Sequence, residues 1–209
     1  MTEQEFFALI EEQQKKSHDL LVDKGDYNIV RGMAHVAAGF VEDLFAVYMA
    51  NKIGDKRIHY LVDKVISFNE EGSTKAKSFK PDLFASSTRG EYMTHYFDVK
   101  TNLGWNRDIE TYLKEKNEFV KSIRGKNGWI HFNGDKPWEL QFDPNLKYQI
   151  VVIWGGNVNE DLLEKNMEIA RSLDAVEMYV LRDKNKGINK SEFDRLNEDS
   201  KKQVKVDEV

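Results

Sequence analysis

The run KYQIVVIW, residues 147–154, limits what this chain can fold into more than any other stretch. From Tyr148 to Trp154 every residue except Gln149 is apolar, and Gly155-Gly156 ends the run. A strand without polar–apolar alternation belongs in the middle of a sheet with both faces covered. Amphipathic helices must supply those covering layers. The fold class expected is therefore α/β, a central mixed β-sheet flanked by helices on both faces.

The remaining elements read in an order that suits such a sheet. Thr2 with Glu5 has the spacing of a capping box, opening a helix to about Leu21. MAHVAAGFVEDLFAVYMANK reads as a central apolar helix broken near Gly54. Three strand-like runs follow, RIHYLVDKVISF, FKPDLFAS and YMTHYFDVKT, joined by turn-forming segments. A charged helix is expected from Asp108 to Arg124, then a hairpin from WIHF and WELQF around the second Asn-Gly pair. A helix over Glu160–Ser172 leads to a last strand, AVEMYVL. From Asp183 the chain is polar, with Ser191 expected to cap a short helix before a frayed end. No repeat or linker divides the 209 residues, so one domain is expected.

Composition removes several function classes. The chain has no cysteine, which excludes disulfides, thiolate metal sites and a thiol nucleophile. No run of about 18 apolar residues is present, and the acidic, amphipathic start is unlike a targeting peptide. A cytoplasmic protein with no membrane partner is expected. The five histidines lack metal-ligand spacing, and the glycine pairs lack the Lys-Ser/Thr ending of a phosphate loop. The net charge is −5, yet Lys75, Lys77 and Lys80 form an unopposed basic patch. Residues 100–126 add seven Lys or Arg against four acids. Local charge of this kind steers a polyanion more than the net sum does.

Chemistry concentrates in YMTHYFDVKTN, residues 92–102. Its period of two puts Asp98 and Lys100 on one strand face. A hairpin centred near Gly90 sets Asp82 of the preceding strand opposite Asp98. Facing carboxylates are destabilising unless a cation separates them, and hard oxygen ligands suit Mg²⁺. Lys100 alongside can hold a water nucleophile or offset phosphorane charge. Such a set suits in-line hydrolysis of a phosphodiester.

Pro81-Asp82, fifteen residues, then Asp98-Val99-Lys100 resembles the motif of the PD-(D/E)xK nuclease superfamily. The succession of helix, three strands, helix and strand is similar to the superfamily's restriction-endonuclease-like core. The resemblance covers about residues 30–182 and leaves 183–209 as a polar C-terminal extension. It implies that Asp82, Asp98 and the Val99 carbonyl bind Mg²⁺, or Mn²⁺ in its place, and that Lys100 activates water. Glu42 of the central helix is the candidate further carboxylate for metal or water. It is preferred over Asp43 because it shares a stripe with His35, Ala38, Gly39 and Ala46, whose small residues would admit a strand closely.

The size of the chain looks most like that of a type II restriction endonuclease, a homodimer cutting double-stranded DNA without a small-molecule cofactor. Asn102, Trp105, Asn106 and Arg107, with Lys126 and Asn127 at the hairpin, are the expected DNA contacts. Two alternatives stay open: a structure-selective repair or recombination nuclease resembling a junction resolvase, and a non-catalytic DNA-binding domain.

Overall fold

A mixed sheet with helices on both faces forms the body of the protein in the computed structural model, which describes residues 1–19, 38–70, 72, 75–103, 108–132, 136–185 and 187–204. Helix α1 (Glu3–Asp19) begins at a reciprocal capping box. Thr2 Oγ1 accepts from the Glu5 N–H at 3.1 Å, and Glu5 Oε2 accepts from the Thr2 N–H at 2.7 Å. Helix α2 (Ala38–Ile53) buries Val41, Leu44, Phe45, Tyr48 and Met49. It ends at Gly54, whose φ of 76° lets its N–H close on the Ala50 carbonyl at 2.9 Å. The expected beginning of this helix, His35 included, lies outside the described residues. At Gly39 no close strand is found among the described residues: none of them comes within 4 Å of a Cβ placed there. Large side chains such as Val41 and Phe45 make the contact instead.

The three expected strand runs form five strands, β1 (Tyr60–Val62), β2 (Ile66–Asn69), β3 (Ala76–Phe79), β4 (Leu83–Ser86) and β5 (Tyr92–Lys100). Asp63 breaks the first run by adopting φ 57°, a left-handed conformation that strands cannot continue through. Pro81 breaks the second, since proline offers no ladder donor. Helix α3 (Ile109–Ile123) follows, its first turn capped by the Asp108 side chain accepting from the Thr111 N–H. Strands β6 (Asn127–Ile130) and β7 (Trp138–Phe142) form the expected hairpin, with Ile130 opposite Trp138. Then come β8 (Tyr148–Val152), α4 (Glu160–Ser172), β9 (Val176–Val180), the ribbon β10 (Arg182–Asp183) with β11 (Gly187–Ile188), and α5 (Lys190–Gln203).

Strand β5 is where the sheet forks. Its first residues pair with β7 in parallel, and its last five, from Tyr96 to Lys100, pair in parallel with Tyr148 to Val152 of β8. One arm continues through β6, β2 and β3, the other through β9. The apolar run thus lies between two parallel neighbours, with all five β8 residues buried. Ile150 and Val152 pack toward Leu113 and Val120 of α3 and Leu163 of α4. Val151, with Phe97 and Val99 of β5, packs toward Phe45 of α2 and Phe193 of α5. Among the described residues no helix is long and apolar enough to cross a membrane.

The described part of the polar stretch after residue 183 packs on the body of the protein through α5. Asn189, rather than Ser191, caps α5, its Oδ1 accepting from the Glu192 N–H. Ser191 donates to that same oxygen at 2.8 Å. Phe193 and Leu196, three residues apart on one face, give the helix an apolar seam despite its charged composition. Phe193 sits edge-on to Phe6, Phe7 and Tyr48, with ring centroids 5.4–6.3 Å apart.

His95 of β5 ties α5 to the sheet. Its Nε2 donates to the Ser200 carbonyl at 2.8 Å, and its Nδ1 lies 2.8 Å from Thr94 Oγ1. Burial pushes this imidazole down to about 4. The folded protein therefore keeps His95 neutral at pH values where the unfolded chain protonates it. Its contribution is intact above the unfolded pKa of about 6.5 and is lost as pH falls toward 4. Between pH 7 and pH 5 the stability advantage of wild type over His95→Gln falls by about 2 kcal/mol. Urea unfolding of both proteins at the two pH values measures that difference.

Candidate active site

Three side chains meet where β4 begins and β5 ends. The β4–β5 ladder pairs Leu83 with Phe97 and Phe84 with Tyr96. One further step of that register brings Asp82 across from Asp98. The Val99 N–H donates to Asp82 Oδ2 at 2.7 Å, which holds that carboxyl at the strand end. Lys100 Nζ donates to Asp98 Oδ1 at 2.6 Å and stands 4.0 Å from Asp82 Oδ2. Asp82, Asp98 and Lys100 are thus brought together as the sequence predicts.

Asp98 is held from the other side as well. The Tyr112 hydroxyl of α3 donates to its Oδ2 at 2.8 Å, and the Tyr148 hydroxyl of β8 reaches the same oxygen. The two hydroxyls are 2.6 Å apart. Over both rings lies Lys116, its Nζ 5.4 Å and 5.3 Å from the centroids. Sequence reasoning missed these three residues. The four-residue spacing of Tyr112 and Lys116 on α3 was the available signal. Their meeting with Tyr148 depends on tertiary packing.

The carboxyls are short of one positive charge. Their side chains are only 20% and 11% exposed for Asp82 and Asp98 respectively. Burial pushes Asp82 up, and the hydrogen bond to Asp98 and its charge push it further, to about 7. Burial also acts upward on Asp98, but the hydrogen bond from Asp82, then Lys100 and Tyr148, outweigh it and hold Asp98 below the usual carboxylate range. These opposite shifts favour one proton on the pair, carried by Asp82, with Asp98 ionised beside Lys100.

Among the described residues no three His, Asp or Glu side chains stand together as a metal cluster. Mg²⁺ does not need one, since it keeps several waters and takes one or two carboxylates. A strand residue turns its N–H and C=O toward the same neighbour, so the Val99 carbonyl faces the Asp82 side. The donor set of Asp82, Asp98 and Val99 fits a hard divalent cation, which would replace the shared proton. Glu42 is half-buried in α2. Burial raises its pKa, the charge of Asp63 adds to that, and Lys80 and Lys100 oppose it. Asp43 is exposed.

The proposed DNA contacts separate. Asn102 lies two residues beyond Lys100. Arg107, with Trp105 and Asn106, lies outside the described residues. Lys126 and Asn127 are not brought to the site. Asn127 pairs with Gln141, and Gln141 with Tyr92 at the far end of β5. Six residues of strand from Tyr92 to Asp98 span about 20 Å. Lys126 and Asn127 line instead an open groove of about 1080 Å³ together with Glu70, Glu91 and Glu139. The patch expected to be unopposed is also paired: Lys77 meets Glu70 at 2.5 Å, and Lys80 meets Asp63 at 2.5 Å. No protein-family model, curated protein or solved structure matches the chain.

Proposed function

We propose that the protein is a Mg²⁺-dependent endonuclease of the PD-(D/E)xK superfamily, hydrolysing phosphodiester bonds of double-stranded DNA as a homodimeric type II restriction enzyme does. The observation that carries this reading is the convergence of Asp82, Asp98 and Lys100 at adjacent strand ends. The element order supports it too: α2, the antiparallel strands β1, β4 and β5, then α3 and parallel β8 follow the restriction-endonuclease-like succession.

Each residue has a stated part. Asp82, Asp98 and the Val99 carbonyl hold the ion, and Tyr112 with Tyr148 fix the orientation of the Asp98 carboxylate. When bound, Mg²⁺ polarises a phosphoryl oxygen and lowers the pKa of water. The Lys100 ammonium reaches the space that both carboxylates face. There it orients the attacking water and offsets negative charge developing on the phosphoryl oxygens. Glu42 holds a further water or the ion from the α2 side.

Digestion of a long duplex with Mg²⁺, with and without EDTA, tests the proposal. Discrete fragments that vanish with EDTA are expected. Cutting confined to branched DNA would assign the protein to structure-selective nucleases. Plasmid, branched and single-stranded DNA all left intact would end the enzymatic reading.

A further inference from the structure

Helix α3 carries several lysines, and its sequence gives Lys116 a different position from its neighbours. Lys114 pairs with Glu110 at 2.7 Å and Lys121 with Glu118 at 3.3 Å, the ordinary one-turn ion pairs of an exposed helix face. The residues one turn from Lys116 are Tyr112, Leu113, Phe119 and Val120, none of which can take its charge. Among the described residues it forms no salt bridge, and its side chain is half-buried. The rings of Tyr112 and Tyr148 lie within cation–π reach of its ammonium. Those are the two rings whose hydroxyls hold Asp98.

An ammonium group has three donors and is strongly hydrated, so holding it half-buried without a direct salt bridge is costly. Burial lowers its pKa, and the charge of nearby Asp98 opposes that drop. The aromatic faces orient the group without satisfying its donors, which leaves it ready to receive an anionic oxygen.

We propose that Lys116 is a phosphate-binding residue of this site, its ammonium taking a non-bridging oxygen of a backbone phosphate next to the one cleaved. The identity of that phosphate rests on the nuclease reading; the anion site itself rests on the position of Lys116. A compact ammonium on a pre-oriented stem suits a phosphate oxygen as a point charge.

The test uses the full chain in EDTA, titrated with deoxythymidine 3′,5′-bisphosphate and followed by calorimetry. Wild type is expected to bind. Lys116→Met keeps the apolar stem over the rings and is expected to bind about tenfold more weakly. Lys116→Arg should return to within about threefold of wild type, a rescue that a purely structural role would not produce. If Lys116→Met fails to fold by circular dichroism, Lys116→Gln takes its place. Equal binding by wild type and the neutral variant, or no binding by wild type, overturns the phosphate site. DNA cleavage is scored separately on the same proteins. Bisphosphate binding through Lys116 without any DNA cutting overturns the nuclease reading and leaves the phosphate site standing. Full cutting by Lys116→Met together with equal bisphosphate binding overturns the phosphate site and leaves the nuclease reading standing.

Discussion

On the proposed function, Lys100→Ala is expected to lower Mg²⁺-dependent DNA cleavage about a thousandfold while changing duplex affinity less than about threefold. The reason is positional. Lys100 Nζ lies 2.6 Å from Asp98 and 4.0 Å from Asp82, at the mouth that the two carboxyls share. Charge that develops only in the transition state is what a pre-placed ammonium stabilises, so its loss appears in rate before affinity. Duplex binding sums many phosphate contacts, and one cation contributes little to that sum. Asp98→Asn differs in kind: the oxygen facing Lys100 loses its charge, so metal binding and cleavage fall together. Single-turnover rates and binding in Ca²⁺ separate the two variants. A Lys100→Ala protein that cuts at the wild-type rate would remove Lys100 from the chemistry.

The second large effect is on stability. Asp82 keeps its proton up to about 7 in the folded protein, whereas the unfolded chain loses it near 3.8, the ordinary model value. As pH rises through that window the unfolded state sheds a proton that the folded state retains, so folding loses free energy and the loss persists above it. Asn at this position keeps both hydrogen bonds, accepting from the Val99 N–H and donating to Asp98, without an ionisable proton. Metal-free Asp82→Asn is therefore expected to be more stable than wild type at pH 8 by about 2 kcal/mol, discounted for the partial exposure of Asp82. A gain of that size raises the melting temperature by about 4–8 °C for a chain of this length. The advantage disappears below about pH 4, where both forms are neutral. With Mg²⁺ the order reverses, since only wild type gains binding free energy, about 2.7 kcal/mol at one hundred times Kd. Thermal melts at pH 8 with and without Mg²⁺ check both signs. Equal melting of the two metal-free proteins would show that the carboxyls do not compete for a proton.

The sequence made the local structure and the centre of the site readable, for identifiable reasons. Thr2 with Glu5, Asp108 and Gly54 mark helix ends by side-chain chemistry that acts over a few residues. Asp82 could be set opposite Asp98 because Gly90, at φ 78°, makes the turn local, and the register shift between Ala85 and Ser86 still leaves Leu83 paired with Phe97 one step away. Asp63 was not readable: its left-handed backbone is held by its N–H donating to the Asp82 carbonyl at 3.0 Å, a contact nineteen residues away. The role of α5 was hidden by its charge, because its docking uses two apolar side chains together with polar ties such as that of His95 to the Ser200 carbonyl. Tyr148 looked like one more residue of a buried run, yet its hydroxyl and that of Tyr112, 36 positions earlier, both meet Asp98. Lys126 and Asn127 were grouped with the site because their charge pattern follows it in sequence. The chain instead leaves α3 toward the other end of β5, a direction that composition does not record.

A Mn²⁺ soak of crystals above pH 7, with anomalous diffraction collected at the manganese edge, tests the central claim most directly. One strong peak bonded to a carboxylate oxygen of both Asp82 and Asp98, with Lys100 beside it, is the predicted result. An empty position between carboxyls that still share their proton at millimolar Mn²⁺ would contradict it.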